Sequence, residues 1–520
     1  MFSDKNRRLP IPPGSVRRAA LVLRVRLVLS KHASHAALAL ILLLAAYLRL
    51  EGLGENSLWV DECIVANHAL AGGVTDVIRS VAQDIHPPLL HLIAHFAMKV
   101  GGRSELVLRL PSAISGIAAC FFTFALARLV VREAFSLLAA FLLAVCPLAI
   151  NHSQQLRPYS LLCLLGAMTT IAFIRLAQEP TRGRTVKAII FGALMLYTHY
   201  VGITYLLSLF AAVLCLCWNR EKVRKAVLTV AFGAFLAFTP WIHVLAMHAA
   251  ERPGHLQRYG LSAVSQMFST QSPFSALASP ALKSIANALF FFTVAVGIVG
   301  TALRRKINTN RARFILVCCL PVFAVLGYAI SFYRPFYSPK SGLVLYPVLM
   351  VLSPLGIQGL SRFGARSASR RMIAACFVVP IVALGMVNAS QYAAPRFVDG
   401  RRMALYVRDN IASEPIVLDC IFHGIRGFEF YLPLACPDYP SSRILLITSL
   451  EDLEAKMGRI RRFGSFWLVS VGDGPSPLWA LATQHLKQVK SVRYYKIRAA
   501  LFTWPEATEA TATDPQESRE

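Results

Sequence analysis

The sequence predicts an α-helical polytopic membrane protein with about eleven transmembrane helices and a small C-terminal α/β domain. Two observations on composition point to this class: apolar residues make up 56% of the 520 positions, and the mean hydropathy is +0.53. The third observation is that apolar runs of about 20 residues, enough to cross a bilayer as a helix, recur along residues 1–392. Soluble domains rarely reach this apolar content and lack such repeated runs.

The first 33 residues form a basic segment that precedes the first apolar run. They contain eight Lys or Arg residues, so the segment is too long and too basic for a cleavable signal peptide with a clean apolar core. We therefore expect residues 1–33 to lie in the cytoplasm and to include an amphipathic stretch at the membrane surface.

The membrane module, residues 34–392, contains eleven candidate spans joined by short loops. The spans lie near residues 34–50, 110–130, 134–151, 158–177, 186–198, 201–218, 226–246, 281–302, 314–332, 342–360 and 372–390. With a cytoplasmic N-terminus, every loop on the predicted inner side is basic, as the positive-inside rule requires. These inner loops are residues 128–132, 175–187, 220–225, 304–313 and 362–371. The pattern predicts a C-terminal domain outside the cytoplasm.

The apolar run from Pro87 to Val100 is interpreted as a helix in the membrane interface. It is short for a bilayer and begins with Pro-Pro, and a crossing there would move every later basic loop to the outer side. The interpretation gives one long external loop, residues 51–108, which contains two pairs of ionisable residues: Asp61 with Glu62, and Asp84 with His86.

The excess of positive charge belongs to the membrane module and its N-terminal segment. Residues 393–520 contain 16 Lys or Arg and 15 Asp or Glu; from totals of 54 and 27, this leaves 38 and 12 for residues 1–392. Positive charges confined to short loops between apolar runs do not form the basic face of a nucleic-acid-binding protein. We therefore expect membrane lipids, and no nucleic acid, as partners of these charges.

Residues 393–505 predict a small α/β domain outside the membrane, because β-forming runs alternate with helical patterns. The predicted strands are Ile416–Phe422, Arg443–Thr448, Phe466–Val471 and Val492–Phe502, and the predicted helices are Arg401–Ile411, Leu450–Ile460 and Pro477–Val489. Residues 506–520 have the composition of a disordered tail. Whether Cys420 and Cys436 form a disulfide is left open by the sequence.

Ionisable residues concentrate beyond the outer end of the first span. The segment Leu58–Glu62 follows that span closely, and the segment Asp84–Leu89, with the sequence Asp-Ile-His-Pro-Pro-Leu, comes later in the same loop. Ionisable groups at a membrane boundary are rare unless they take part in chemistry or line a path. The sequence therefore predicts an active site in the external loop.

These motifs resemble those of the type C membrane glycosyltransferases that use polyprenyl-phosphate sugars. That group includes protein O-mannosyltransferases, the lipid A aminoarabinose transferase and rhizobial lipopolysaccharide galacturonosyltransferases. The ordered motifs cover about residues 35–210, with a weaker architectural match beyond. They are Arg49, Ser57–Glu62, Asp84–Leu89, Arg109–Ala113, Pro147–Tyr159 and Tyr197–Tyr200.

The resemblance implies a type C glycosyltransferase fold and transfer of a monosaccharide from a polyprenyl-phosphate-linked donor. The implied acceptor is a hydroxyl group on an envelope glycolipid, a polysaccharide or a protein at the outer face of the inner membrane, with inversion of the anomeric carbon. No nucleotide cofactor is expected, because we predict no cytoplasmic domain that could bind a nucleotide sugar.

The family's acidic pair corresponds to Asp61-Glu62, and we predict that Asp61 is the general base. The acceptor hydroxyl must lose its proton as it attacks, and a carboxylate in a partly dry cleft can accept that proton. The alternative for Asp61 is a solvated loop acid. Glu62 is a second catalytic candidate; on a helical turn it would point about 100° away from Asp61, toward a partner or toward water.

Asp84 and His86 correspond to the family's Asp-x-His-Pro-Pro motif. Asp84 could orient His86 through a hydrogen bond, or either side chain could hold a divalent metal cation beside the leaving phosphate. The rigid Pro87-Pro88 pair would aim His86 into the site; the alternative for His86 is a helix cap or an interfacial position. The candidate metal ligands are Asp84, His86 and His199.

Arg109, Arg157 and Lys340 are the candidate phosphate contacts, because positive charge is scarce on the predicted outer side. Arg can bind a phosphate through two parallel hydrogen bonds, whereas Lys acts as a point charge. The alternative for all three is anchoring to lipid head groups. Tyr159 and His199 complete the predicted substrate-binding set.

Two other classes of function are compatible with the sequence. A polytopic transporter or flippase for lipids or sugars would also be apolar and basic, but it more often has repeated halves and spans broken by Gly or Pro. A non-catalytic partner that presents a lipid or a protein is the other. An Asp61→Asn protein that binds donor and transfers nothing would separate the enzyme from both.

Overall fold

The computed structural model describes residues 13–250, 272–303, 310–333, 340–393, 398–411, 414–419, 426–471 and 476–504. The predicted disordered tail and Cys420 lie outside these residues, and the question of a Cys420–Cys436 disulfide lies outside them too.

All regular secondary structure in the described part of the chain before residue 394 is helical. They are α1 (Pro13–Leu50), α2 (Val60–Ala69), α3 (Val74–Val81), α4 (Leu89–Gly101), α5 (Glu105–Ala127), α6 (Glu133–Ala144), α7 (Pro147–Ser153), α8 (Tyr159–Gln178), α9 (Arg182–Leu196), α10 (Val201–Cys217), α11 (Glu221–Ala250), α12 (Pro280–Ala302), α13 (Arg311–Tyr333), α14 (Tyr346–Leu360) and α15 (Ser367–Ser390). Short 3₁₀ turns precede and follow α14, at Ser341–Leu345 and Ser361–Phe363.

Eight helical segments in the described ranges are long and apolar enough to cross a membrane. They lie in α1, α5, α8, α11, α12, α13, α14 and α15. The other three predicted spans fall on shorter helices. One is the pair α6–α7, which is bent by 60° and would make a ninth, broken span; the other two are α9 and α10, of 15 and 17 residues.

The break between α6 and α7 is stabilised by a buried arginine from the first span. Arg49 is fully buried, and its guanidinium donates to the carbonyl oxygens of Leu143 at 3.1 Å and Ala144 at 3.0 Å. These carbonyls belong to the end of α6, where backbone acceptors have no partner inside the helix. Because α7 starts immediately afterwards at Pro147, the contact sets the position of the segment that leads to Arg157.

The predicted interfacial run is α4, a 13-residue helix that is too short to cross a bilayer. It begins directly after the Pro87-Pro88 pair, where a missing backbone N–H costs nothing because the first turn has no internal acceptor. Together α2, α3 and α4 pack against one another and form most of residues 51–108, the loop that the sequence predicts to be external.

The most buried span, α14, packs against α12 through glycines. A Cβ atom at Gly356 would overlap the carbonyl oxygen of Thr293, and one at Gly297 would overlap the carbonyl oxygen of Leu352. The backbones can therefore approach closely, as small residues permit at membrane helix interfaces. A hydrogen bond of 2.7 Å joins the Thr293 and Ser353 hydroxyl groups in the same interface.

The C-terminal part is an α/β domain with a five-stranded mixed sheet. Its elements are α16 (Gly400–Asn410), β1 (Ile416–Asp419), α17 (Arg426–Ala435), β2 (Ile444–Ile447), α18 (Leu450–Arg461), β3 (Ser465–Val471), α19 (Pro477–His485), β4 (Lys487–Tyr494) and β5 (Ile497–Thr503). The strand order is β2-β1-β3-β5-β4. Strand β1 runs parallel to β2 and β3, whereas β5 runs antiparallel to β3 and β4.

Two details of the predicted domain are wrong. The predicted strand Val492–Phe502 is two strands, β4 and β5, joined by a tight turn at Lys496, whose φ is 55°. The predicted helix Pro477–Val489 ends at His485, and its last residues belong to β4. A hairpin with no Gly in its turn gives little local signal, which explains both errors.

The C-terminal domain shares one apolar core with the external loop. Leu58 and Cys63 from the start of α2 belong to the same buried cluster as Met403, Phe428 and Trp467 from the domain. The opposite face of the sheet is covered by α18 and α19, with Leu453 and Leu478 in a separate cluster. The domain is therefore packed onto the loop that carries the predicted site.

We expect Gly356→Ala to destabilise the protein, because the added Cβ would overlap the Thr293 carbonyl oxygen. Overpacking of this kind costs about 1–3 kcal/mol. Gly359→Ala is the matched control, since a Cβ there meets nothing within 4 Å. Thermal unfolding of both purified variants in detergent measures the difference, and equal midpoints would contradict the close approach of α12 and α14.

Candidate active site

The candidate site begins where the external loop enters α2. Trp59 precedes the first helical residue, and Glu62 Oε2 accepts the Trp59 backbone N–H at 3.1 Å, which satisfies a free donor at the helix N-terminus. Neighbouring residues on a helix diverge by about 100°, so the two acids have different surroundings. The Asp61 side chain is 32% exposed, whereas Glu62 is fully buried.

Glu62 forms a buried ion pair with Arg109 of α5. The Arg109 Nε and Nη2 atoms donate to Glu62 Oε1 and Oε2 at 2.8 and 2.7 Å. Glu62 Oε1 also accepts the backbone N–H of Leu156 at 2.7 Å. The pair therefore connects the start of α2, the start of α5 and the segment before α8.

The remaining Arg109 donors bind the backbone of the loop before α2. Nη1 donates to the carbonyl oxygens of Leu53 at 3.0 Å and Asn56 at 2.8 Å, and Nη2 donates to that of Ser57 at 3.0 Å. All five N–H groups of a guanidinium thus have acceptors within the protein. Arg109 has no donor left for a phosphate, which argues against its predicted phosphate contact, and the buried Glu62 has no access to substrate, which argues against catalysis by Glu62.

Arg157 differs from Arg109 in that its guanidinium makes only long or weak polar contacts, with Asp61 and with the side chain of Tyr159. The side chain is 7% exposed, and its Nη2 lies 3.4 Å from Asp61 Oδ2. Its Nη1 lies 3.4 Å from the Asp61 carbonyl oxygen, and its Nε is buried with no hydrogen-bond partner. A buried guanidinium with only long contacts is available to an anionic ligand.

Trp59 brings Arg157 and Lys340 together. The Arg157 Cζ lies 6.0 Å and the Lys340 Nζ 5.4 Å from the centre of the indole ring, within the range of cation–π attraction. Two of the three predicted phosphate contacts therefore gather at one ring beside Asp61.

Asp84 lies between two histidines. Its Oδ2 is 3.6 Å from His86 Nδ1 and 3.5 Å from His91 Nε2, and all three side chains are largely buried. Burial alone would raise the pKa of Asp84, but His86 and His91 attract its charge and hold the pKa of this carboxyl well below its usual range. Burial lowers the pKa of His86, even though Asp84 favours its charged form.

A row of rings links His86 to the phosphate-binding candidates. The ring centres of His86 and His199 are 5.5 Å apart, and those of His199 and Tyr159 are 5.7 Å apart. Tyr159 in turn lies 5.7 Å from the Arg157 Cζ and 4.8 Å from the ring of His152. The structure thus joins five of the predicted residues in one series of contacts: Asp84, His86, His199, Tyr159 and Arg157.

The described residues do not contain a group of three or more His, Cys, Asp or Glu side chains arranged to hold a metal ion. The candidate ligands Asp84 and His86 approach each other at 3.6 Å, while His199 meets His86 ring to ring and accepts the backbone N–H of Val201 through Nδ1 at 3.1 Å. As placed, these three side chains do not form a metal-ligand set.

The contacts made by the C-terminal domain could not be predicted from the sequence. Tyr431 Oη accepts the backbone N–H of Leu58 at 2.7 Å and donates to Glu105 Oε1 at 2.8 Å. Arg401 Nη1 lies 3.1 Å from Glu105 Oε2, and Ser57 Oγ donates to Asp399 Oδ1 at 3.0 Å. Partners about 300 residues or more apart in sequence leave no local sequence pattern, so only the tertiary structure reveals these contacts.

Removing Arg109 should destabilise the protein rather than only weaken substrate binding. Arg109→Ala leaves the buried Glu62 charge unpaired, and breaking a buried pair in this way costs about 3–5 kcal/mol. Arg79→Ala, which breaks the exposed Asp76–Arg79 pair of the same loop, is the control and should cost at most about 1 kcal/mol. Thermal unfolding in detergent is the measurement; a wild-type midpoint for Arg109→Ala would contradict the structural role of the Glu62–Arg109 pair.

Stability should fall as the pH is lowered below about 6.5. The unfolded chain takes up a proton on His86 near its ordinary pKa of 6.5, whereas burial lowers the pKa of His86 in the folded state, so the unfolded state binds more protons. The loss is at most about 1.4 kcal/mol per pH unit for this group. Unfolding midpoints at pH 7.5 and 5.5 should differ less in His86→Asn than in the wild type. An equal difference in both proteins would show that His86 does not cause the pH dependence.

Comparison with known proteins finds a family model and several solved structures. Residues 85–243, about a third of the chain, match the family described as dolichyl-phosphate-mannose-protein mannosyltransferase. That stretch includes His86, Arg109, Arg157 and His199. No curated protein matches the sequence significantly.

The structural similarity extends over nearly the whole chain. ArnT from Cupriavidus metallidurans in the apo state matches with a TM-score of 0.58 at 13% identity, covering 93% of this chain and 100% of ArnT. ArnT bound to undecaprenyl phosphate gives 0.57 at 13% identity, with 92% and 99% covered.

A third structure of the same kind is the archaeal oligosaccharyltransferase AglB from Archaeoglobus fulgidus, in complex with an inhibitory peptide and a dolichol-phosphate. It matches with a TM-score of 0.55 at 13% identity, covering 91% of this chain and 74% of AglB. Identities this low show the fold alone. The predicted architecture is confirmed: this chain has the type C fold of the membrane glycosyltransferases.

Proposed function

We propose that this protein transfers a monosaccharide from a polyprenyl-phosphate-linked donor to a hydroxyl group of an acceptor. The acceptor is an envelope glycolipid, a polysaccharide or a protein. The observation that supports this most directly is the pairing of a partly exposed carboxylate, Asp61, with a buried guanidinium, Arg157, that has an unpaired donor. That ArnT binds undecaprenyl phosphate supports a lipid phosphate as the ligand of such a cation.

Asp61 acts as the general base in this proposal. It takes the proton from the acceptor hydroxyl as the oxygen attacks the anomeric carbon, and the bond from that carbon to the phosphate oxygen breaks. The polyprenyl phosphate leaves with the bonding electrons. Because attack comes from the side opposite the phosphate, the anomeric carbon is inverted.

Arg157 and Lys340 stabilise the leaving phosphate. The negative charge on the phosphate grows as the bond breaks, so cations placed there stabilise the transition state more than the ground state. Their shared contact with Trp59 restricts both side chains before the donor arrives. Asp61 is then close to the phosphate-binding group without contacting the phosphate itself.

Glu62 and Arg109 are assigned positioning roles. Glu62 binds the amide nitrogens of Trp59 and Leu156, so it fixes the turn that carries Asp61 relative to the segment that carries Arg157. His86, Asp84, Tyr159 and His199 belong to the same series of contacts as Arg157 and contact the rest of the substrate.

We also propose that the site lies at the outer face of the inner membrane, with the N-terminus in the cytoplasm. The basic loops at 175–187, 220–225 and 362–371 support this orientation through the positive-inside rule. The site then meets lipid-linked sugars rather than cytoplasmic nucleotide sugars.

Asp61→Asn should lower the transfer rate on the order of 10²- to 10⁴-fold, the usual contribution of a general base, with donor affinity near that of the wild type. Asp76→Asn, an exposed acid in the same external loop, is the control and should remain active. Mass spectrometry of envelope glycolipids and glycoproteins with and without the protein identifies the product; purified variants then give the rate.

Arg157→Ala tests the binding of the phosphate separately from the proton transfer to Asp61. Loss of a charge-assisted contact of about 1.5–3 kcal/mol should reduce catalytic efficiency about ten- to a hundredfold, through weaker binding of undecaprenyl phosphate. Full activity in Asp61→Asn, with or without an effect of Arg157→Ala, would place catalysis elsewhere and favour a transporter.

A further inference from the structure

The segment that ends at Arg157 buries polar atoms that no protein group satisfies. His152, Gln155 and Arg157 are only 3%, 4% and 6% exposed. In each side chain one buried polar atom has no hydrogen-bond partner: His152 Nδ1, Gln155 Oε1 and Arg157 Nε. Buried polar atoms are nearly always paired, so three such atoms within six residues indicate a missing polar ligand.

These atoms belong to the same region as the proposed phosphate contacts. The His152 ring lies 4.8 Å from that of Tyr159, which lies 5.7 Å from the Arg157 Cζ. His152 is also close enough to Lys340 and Arg157 to be influenced by both positive charges. The residues that carry the unsatisfied atoms therefore lie beside Arg157 and Lys340, the proposed phosphate contacts, and are not a packing defect elsewhere in the fold.

The Gln155 side chain is held in place by one end only. Its Nε2 donates to Asn151 Oδ1 at 2.8 Å, which leaves Oε1 as an acceptor. The side chains of His152 and Gln155 interact weakly, but neither His152 Nδ1 nor Gln155 Oε1 has a hydrogen bond of normal geometry. The break between α6 and α7 at Val145–Cys146 starts the short helix α7, which carries His152, and Gln155 lies in the turn after α7.

The donor and acceptor character of the three atoms defines the ligand. Arg157 Nε requires an acceptor, Gln155 Oε1 requires a donor, and an imidazole nitrogen can serve as either. An ionised phosphate offers acceptors only, so it cannot satisfy Gln155. A hydroxyl-bearing sugar attached to a phosphate offers both kinds of group.

We propose that His152 and Gln155 form the sugar subsite, hydrogen-bonding to hydroxyl groups of the donor's monosaccharide while Arg157 holds its phosphate. This inference rests on the proposed function and deepens it, because it assigns recognition of the sugar to two residues outside the sequence-predicted set. The subsite discriminates between donors by hydroxyl position, since a hydroxyl that fails to reach Gln155 leaves a buried acceptor unpaired.

The test compares binding of lipid phosphate with and without a sugar. The purified full-length protein in nanodiscs is titrated with undecaprenyl phosphate and with undecaprenyl-phosphate-linked glucose, mannose and galacturonate. We expect the wild type to bind at least one sugar-bearing lipid better than the sugar-free lipid. Gln155→Met and His152→Leu should each reduce that preference about tenfold while leaving affinity for undecaprenyl phosphate unchanged.

Two kinds of control keep a structural effect apart from sugar recognition. His152→Asn retains a polar atom near the position of Nδ1 and should keep most of the preference. Gln178→Met, at the far, exposed end of α8, and His243→Leu, on the exposed face of α11, should change nothing. Unfolding midpoints of all variants are recorded beside the affinities.

The outcomes distinguish this inference from the function on which it rests. A wild type that binds undecaprenyl phosphate but gains nothing from any sugar, or variants whose preference is unchanged, would mean that ordered water alone fills the subsite and would overturn the inference only. Parallel loss of affinity for all four lipids would also overturn it, as a sign of structural damage. A wild type that binds no lipid phosphate would overturn both.

Discussion

The buried ion pair between Glu62 and Arg109 is the contact on which the candidate site depends. Burying two charges is unfavourable unless each is fully hydrogen-bonded, and here the two side chains meet that condition with the backbone of the external loop and with Leu156. The pair fixes the turn before α2 to α5 and to the segment before α8. Asp61 and Arg157, which come from those two places, are consequently held next to each other.

The two arginines differ in how far their guanidinium N–H groups are hydrogen-bonded within the protein, and this difference distinguishes a structural arginine from a candidate ligand-binding one. Arg109 and Arg157 are both buried and both belong to motifs at predicted outer span ends. Every N–H of Arg109 has an acceptor within 3.0 Å, whereas Arg157 has two contacts at 3.4 Å and an unpaired Nε. The fold satisfies every donor of the first cation, whereas the second keeps an unpaired donor, which the proposed function assigns to the phosphate.

The C-terminal domain is part of the framework that holds the candidate site. Arg109 binds the loop of residues 53–57 from the membrane side, and Arg401, Asp399 and Tyr431 bind residues 54–58 from the domain side. A loop held on both sides loses its conformational freedom on folding, before substrate arrives. The position of Asp61, the proposed base, therefore depends on packing between parts of the chain that are far apart in sequence.

The sequence by itself determined the membrane class, the C-terminal α/β domain, and the grouping of the candidates Asp61, Asp84, His86 and Arg157 in or near the loop of residues 51–108. Hydropathy, loop charge and motif order are properties of the sequence, and they can be recognised without knowledge of the packing. The hairpin of β4 and β5 was missed because its turn lacks the usual glycine signal, and the spans at α6–α7, α9 and α10 proved broken or short.

Only the tertiary structure decided which of the candidate side chains are free to act. Glu62 and Asp61 are adjacent in sequence, yet one is saturated by Arg109 and the other is partly exposed beside Arg157. His152, Gln155 and Tyr431 acquire their significance from burial and from partners, or the lack of partners, across the fold. Whether a buried polar atom is satisfied is a property of its surroundings in space, and residue type and spacing do not determine it.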